Sequence, residues 1–284
     1  MDHNHRGIVT SQGFDLGYQI EGTGPNALVI GSSIYYPRIF SDNLRKYLRL
    51  IFIDMRAFAP ASETPLNFDL DLILDDIECM RQKLNLGQII IIGHSGNAFL
   101  ALEYAKKYPE CVSHVVMIGT GPSFSEESKK AADQYWNEKA SQGQKAVLAK
   151  SLEIHPDSES ARIPLNQHFI WNYTRHGARI WYDFNFVSTS LWKDVNVNMP
   201  IFDYIWGTLF RDIDIIKGLE KLDKPVFLAL GRYDFIVAPP GSWDPLRSKF
   251  TNLSICIFEH SGHSPFYEES ELFDIKLLDW LSSH

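Results

Sequence analysis

Along most of the chain, short aliphatic and β-branched runs alternate with longer stretches of helical period. Arg6–Thr10 and Phe14–Glu21, separated by Ser11-Gln12-Gly13, predict an antiparallel hairpin. After Gly22-Thr23-Gly24-Pro25, the run Ala27-Leu28-Val29-Ile30-Gly31 is apolar throughout. A strand wetted on one face would alternate; a continuous apolar run needs cover on both faces, as in the middle of a parallel sheet. Arg49–Asp54, Gln88–Ile92, His114–Ile118 and Val226–Leu230 repeat that signature, and Leu253–Phe258 supplies a last strand. Helices are expected between them, at Pro37–Leu48, Asp69–Leu84, Ala98–Tyr108, Asp212–Leu222 and Glu268–Leu281. Within Asp69–Leu84, the residues Leu70, Ile73, Leu74, Ile77 and Met80 recur at helical spacing and make one apolar stripe. The alternation predicts an α/β protein with a mostly parallel, eight-stranded sheet flanked by helices.

From about Pro122 to Trp206 the strand rhythm stops. Phe169, Trp171, Tyr173, Trp181, Tyr182, Phe184, Phe186, Trp192, Phe202, Tyr204, Trp206 and Phe210 crowd this stretch and its edge, and the rhythm resumes near Lys224. An insertion between consecutive strands predicts a helical cap over residues 123–206, with residues 1–122 and 207–284 forming the core. Glu126, Glu127, Lys129, Lys130, Asp133, Glu138 and Lys139 would give the cap a solvated outer face.

Length and composition narrow the field. A chain of 284 residues suits one large domain or a core with an insertion. Its 27 basic against 35 acidic side chains give a net charge of −8, with no basic cluster, which argues against a nucleic-acid partner. The opening MDHNHRGIVTSQGFD lacks the apolar core of a secretory signal, and no apolar run approaches the ~20 residues that span a bilayer. A cytoplasmic protein without a membrane partner is the expectation. Cys79, Cys111 and Cys256 form neither a disulfide framework nor a zinc pattern, and are expected to be buried, reduced thiols.

The sharpest chemical signal is Ile92-Gly93-His94-Ser95-Gly96-Asn97-Ala98, between a buried strand and an Ala-rich helix. A serine on a tight strand-to-helix turn is lifted above the sheet, provided small residues let strand and helix cross closely. Gly93 and Gly96 meet that need, whereas Asn97 stands where glycine or alanine is usual. Serine requires a base and an orienting acid. Both are expected on loops after late strands: Gly231-Arg232-Tyr233-Asp234 ends in an acid, and His260-Ser261-Gly262-His263-Ser264-Pro265 carries the base. His263 is the expected base and His260 a structural neighbour. Oxyanion donors would be the N–H of Gly96 and, from the loop after Ala27–Ile30, that of Ser33 or Ser32.

On these residues the chain resembles the α/β-hydrolase fold superfamily over nearly its whole length. Gly93-His94-Ser95-Gly96 is similar to the nucleophile elbow, Gly231–Asp234 to the acid turn, and Gly262–Pro265 to the histidine loop. Asp54-Met55-Arg56-Ala57-Phe58-Ala59-Pro60-Ala61-Ser62 is similar to the family's Asp-x-Arg-Gly-x-Gly-x-Ser segment. The resemblance leans to the cap-bearing, proline iminopeptidase-like branch and implies a cofactor-free, metal-free serine hydrolase. Gly31-Ser32 replaces that family's His-Gly, and Trp171-Asn172 lacks the acid that holds a substrate ammonium in iminopeptidases; Asp183 and Asp203 are the nearby acids.

The expected activity is cleavage of a carboxylic ester or amide of a small, largely apolar molecule. The alternatives are an iminopeptidase-like aminopeptidase, and a ligand-binding protein with a slow or inactive triad. Lactone opening and C–C hydrolysis use the same triad. Trp171, Trp181, Phe184 and Trp206 are the cap rings expected to line the substrate pocket.

Overall fold

The computed structural model describes residues 5–60 and 68–284. Ala61 and Ser62, the end of the Asp54-x-Arg56 segment, lie outside the described residues. Eight strands, β1 (His5–Ser11), β2 (Phe14–Glu21), β3 (Asn26–Gly31), β4 (Arg49–Asp54), β5 (Ile89–His94), β6 (Val112–Ile118), β7 (Val226–Gly231) and β8 (Leu253–Phe258), form one sheet in the order β1-β2-β4-β3-β5-β6-β7-β8. The β1/β2 and β2/β4 pairs are antiparallel and every other pair is parallel. β5, at the centre, is buried at every position, as its unbroken Ile run demands.

The helices are α1 (Leu70–Lys83), α2 (Asn97–Lys107), α3 (Glu126–Lys139), α4 (Gln142–Ile154), α5 (His168–Arg175), α6 (Gly177–Ile180), α7 (Met199–Tyr204), α8 (Phe210–Asp212), α9 (Pro265–Glu268) and α10 (Ser270–Ser283). Asp69 caps α1 by accepting the Leu72 N–H at 3.0 Å, and the predicted stripe is buried except for half-buried Leu70. α2 is buried along most of its length and packs on β5 and β6. α3 to α8 all fall between β6 and β7, where the sequence rhythm lapses; Ser125 caps α3 and Ser141 with Gln144 forms a capping box on α4.

Three expected helices come out differently. Pro37–Leu48 holds only two 3₁₀ turns, Tyr36–Arg38 and Leu44–Lys46. The Arg45 guanidinium takes the carbonyls of Pro37, Phe40 and Ser41 at 2.6–2.8 Å, and Ser41 Oγ takes the Leu44 N–H at 3.0 Å, so the groups a helix would pair are used otherwise. Asp212–Leu222 is broken by an Asp214 turn that accepts the Ile216 N–H, and by Gly218 at φ +83°; Lys106 holds the carbonyls of Ile215 and Lys217. Glu268–Leu281 splits at Glu269, whose carboxylate accepts from His260 N–H and Ser261 Oγ. The cysteines are free thiols, half-buried rather than fully buried.

One buried charge pair ties the hairpin side of the sheet to α1. Arg56 and Asp76, 3% and 4% exposed, form a two-pronged ion pair; Ser11 Oγ donates to Asp76 Oδ1 at 2.7 Å, and the guanidinium lies over the Phe14 and Phe68 rings. Asp76→Ala strands the buried guanidinium and should cost about 3–5 kcal/mol in urea unfolding. A loss under about 1 kcal/mol would mean that the pair is not isolated from water.

Candidate active site

The site grows from the β5–α2 turn. Ser95 has φ +58°, a left-handed conformation that non-glycine residues seldom adopt and that turns the chain sharply out of the strand. The turn is possible because the helix backbone passes directly over Gly93, where a Cβ would stand 2.2 Å from the Asn97 carbonyl oxygen. Gly96 opens α2, where backbone N–H groups have no partners within the helix. Asn97, the departure from the expected small residue, is buried and points its amide toward Tyr36 Oη at 3.5 Å.

β7 and β8 bring the other two groups. Their ends meet so closely that a Cβ on Gly231 would overlap the Gly262 carbonyl, which sets the acid turn against the histidine loop. His263 Nδ1 lies 2.7 Å from Asp234 Oδ2, with both side chains at most 3% exposed. A carboxylate only accepts, so Nδ1 carries the proton and Nε2 is left as the basic nitrogen. Ser95 and His263 line the same cavity but form no hydrogen bond with each other among the described residues; such links commonly close only when substrate is bound.

The histidine loop is held on several sides. His263 N–H donates to the Ile180 carbonyl at 2.6 Å. Glu268 accepts the N–H groups of Gly262 and Ser264, which flank His263, at 3.0 Å each, and that of Tyr182 at 2.6 Å. His94 donates Nε2–H to the His263 carbonyl at 2.9 Å, which leaves Nδ1 to accept from Tyr36 Oη at 3.2 Å. Burial, helped by the adjacent His263, holds His94 well below the usual imidazole range, so it stays neutral. His260 is exposed, beside Glu269 and the Tyr182 ring, and far from this arrangement in environment.

Above Ser95 lies a cavity of about 310 Å³ lined by aromatic rings from the loop after β3 and from the segment between β6 and β7. A larger, more open cleft of about 780 Å³ runs along α1 and α2; its lining is rich in Asp, Glu and Lys and, among the described residues, holds no serine, cysteine or histidine.

Of the four cap rings expected to line the pocket, Trp206 does so, stacked on Phe202 with ring centroids 4.0 Å apart. The other three do not. Trp171 lies under the Arg175 guanidinium on the far side of α5; Trp181 is buried against Phe186 and Tyr267; and Phe184 lines an outer cleft with Val147 and Ser151. Helical geometry explains the first miss: Phe169, Asn172 and Tyr173 share the cavity-facing side of α5 at i, i+3 and i+4, which puts Trp171 on the other side. Tyr35, Tyr36, Tyr173 and Trp192 were not singled out, although the same spacing pointed to Tyr173. Ser33 also departs from expectation. Its N–H donates to Asp54 Oδ1 at 2.6 Å, so it is not free for an oxyanion. Ser32 is buried in the turn, its Oγ accepting from Ile34 and Tyr35 N–H. Burial raises Asp54 to about 6 despite that bond. Asp183 and Asp203 are exposed and do not line the cavity.

The chain matches the family model for the alpha/beta hydrolase fold over residues 24–270. It is 40% identical to the AB hydrolase superfamily protein YclE of Bacillus subtilis (strain 168), an alignment covering 97% of this chain and 98% of that one. It is 25% identical over 79% of its length to the proline iminopeptidase PfmaB of Pestalotiopsis fici, covering 78% of that protein. A crystal structure of proline iminopeptidase from Mycobacterium smegmatis superposes with a TM-score of 0.72 at 16% identity, covering 99% of this chain and 98% of that chain. The chain belongs to the α/β-hydrolase fold family. No helix among the described residues is long and apolar enough to cross a membrane.

Burial raises Glu268 to about 7 from a usual 4.5, against the lowering effect of its three N–H donors. The folded protein therefore holds a proton that the unfolded chain has lost, and this contribution is full below 4.5 and lost as pH rises through 7. Measured by urea unfolding, Glu268→Gln should remove a fall in stability on the order of 3 kcal/mol across that window. Parallel pH profiles for the two proteins would contradict this.

Proposed function

We propose that the protein is a cofactor-free serine hydrolase acting on a carboxylic ester or amide of a small, largely apolar molecule. The observation that carries the reading is the joint placement of Ser95, in its left-handed turn at the cavity floor, with the oriented His263–Asp234 pair. Ser95 Oγ attacks the acyl carbon while His263 Nε2 takes its proton, then returns that proton to the leaving group. Asp234 holds the imidazole in the productive tautomer, and water attacks the acyl-enzyme by the same route. Gly96 N–H is one oxyanion donor. With Ser33 N–H engaged by Asp54, the backbone of Ser32 is the remaining candidate from its loop. Residues 123–206 act as the cap, covering the cavity with Phe169, Tyr173, Trp192, Phe202 and Trp206.

Among the described residues the cavity lining contains no Asp or Glu to hold an ammonium, which favours an esterase or amidase over an iminopeptidase-like aminopeptidase. The engaged Ser33 N–H favours a second reading, a ligand-binding protein with a slow triad. A panel of p-nitrophenyl esters beside prolyl and alanyl arylamides separates the three. We expect the esters to turn over and the arylamides to lag; preference for prolyl arylamide would restore the peptidase, and no turnover would favour the binding protein.

Ser95→Ala should lower kcat on the order of 10⁴ or more with the fold intact by circular dichroism. Retention of a tenth of the activity would overturn the assignment. His263→Ala should be comparably damaging, and Asp234→Asn should also bring a large loss because it favours the wrong tautomer. His260→Ala should cost less than about tenfold, since its ring has no access to the proton transfer. Reversed effects for the two histidines would make His260 the base.

A further inference from the structure

The cavity wall contains polar atoms that the triad does not use. Tyr35 Oη, Tyr173 Oη and Trp192 Nε1 are shut off from solvent; the two hydroxyls lie beside each other, and no other partner for them, nor any for the indole N–H, is found among the described residues. All three residues line the cavity shared by Ser95 and His263. Tyr35 and Trp192 are only 2% and 6% exposed. The rings form one wall: Tyr35 stacks on Trp192 with centroids 3.9 Å apart, and Tyr173 meets Trp192 edge-on at 5.2 Å. They come from three separate segments: the loop after β3, α5, and the 3₁₀ turn Ser188–Trp192.

A buried donor without a partner is costly, and native proteins leave few of them. One phenol O–H and the indole N–H, on one wall beside the proposed nucleophile, mark a place where a ligand completes the bonds. Their chemistry is restrictive. Indole N–H only donates, and burial keeps both phenols protonated. Two phenols carry two protons, so a bond from one to the other would still leave one O–H to give. Among the described residues no Lys or Arg lines the cavity to balance an anion, and no Asp or Glu to balance a cation. What remains is an uncharged oxygen that accepts.

We propose that Tyr35, Tyr173 and Trp192 form a subsite for a neutral oxygen acceptor, so that the preferred substrate carries a carbonyl or ether oxygen in addition to its scissile group. This rests on the hydrolase reading and narrows it to oxygenated acyl or alcohol parts. A site built to bond such an oxygen discriminates against the analogue lacking it, because its own donors then stay buried and unpaired.

The test uses two matched pairs of esters: p-nitrophenyl levulinate against p-nitrophenyl valerate for the acyl side, and acetonyl butyrate against propyl butyrate for the alcohol side. Rates are normalised to hydroxide-catalysed hydrolysis, and p-nitrophenyl hemisuccinate is the anionic control. In at least one pair, kcat/KM for the oxo ester should exceed its partner by about tenfold. Tyr35→Phe and Tyr173→Phe should each bring that ratio toward one, and the hemisuccinate should not be favoured. Ratios near one in both pairs, a preference that survives both substitutions, or preference for the hemisuccinate would overturn the proposal. If no ester is hydrolysed, the esterase reading falls. The subsite is then judged by calorimetric binding of methyl levulinate against methyl valerate, where equal affinity overturns it.

Discussion

Everything at the site depends on how closely α2 crosses the end of β5. The Asn97 carbonyl passes 2.2 Å from where a Gly93 Cβ would stand, so only glycine fits there. The crossing forces Ser95 to φ +58°. That strain is held by a strand buried at every position and a helix packed on β5 and β6, a framework too well filled to relax. The proposed nucleophile is exposed to the cavity because the core beneath it cannot give way.

The proposed acid and base are held by a second set of constraints that runs through the segment between β6 and β7. His263 N–H bonds Ile180 O, Phe235 N–H bonds Arg179 O, and Glu268 joins the Tyr182 N–H to those of Gly262 and Ser264. The first two are backbone bonds and the other three are accepted by the Glu268 carboxylate, so the segment that roofs the cavity also holds the histidine loop. A change in the packing of Arg179–Tyr182 is thereby transmitted to the His263 imidazole, although none of those four residues lines the cavity floor with Ser95.

The five inner strands β3 to β7 were legible because they are buried on both faces and so appear as nearly unbroken apolar runs; the more exposed β1 and β2 were recognisable as a hairpin set by Gln12-Gly13, and half-buried β8 as a short β-branched run. The helices at Pro37–Leu48 and Asp212–Leu222 were not, because Arg45 and Lys106 capture carbonyls through contacts that local period does not encode. Ser95, Asp234 and His263 could be marked because each sits at the end of a recognisable strand. The pocket rings were mostly not legible. Aromatic density marks the segment but not its facing, and tryptophans at positions 171 and 181 pack outward or inward with the cap while Tyr173 and Trp192 take the wall. The commitment of Ser33 N–H to Asp54 is a tertiary contact between two strand ends, beyond the reach of either segment alone.

The central claim is that Ser95 is a nucleophile activated by His263. Treating the full-length protein with a fluorophosphonate and locating the adduct by peptide mass mapping tests it most directly. The account predicts rapid, single-site modification of Ser95, absent in Ser95→Ala and strongly slowed in His263→Ala. Modification at another residue, or labelling of Ser95 that does not depend on His263, would contradict it.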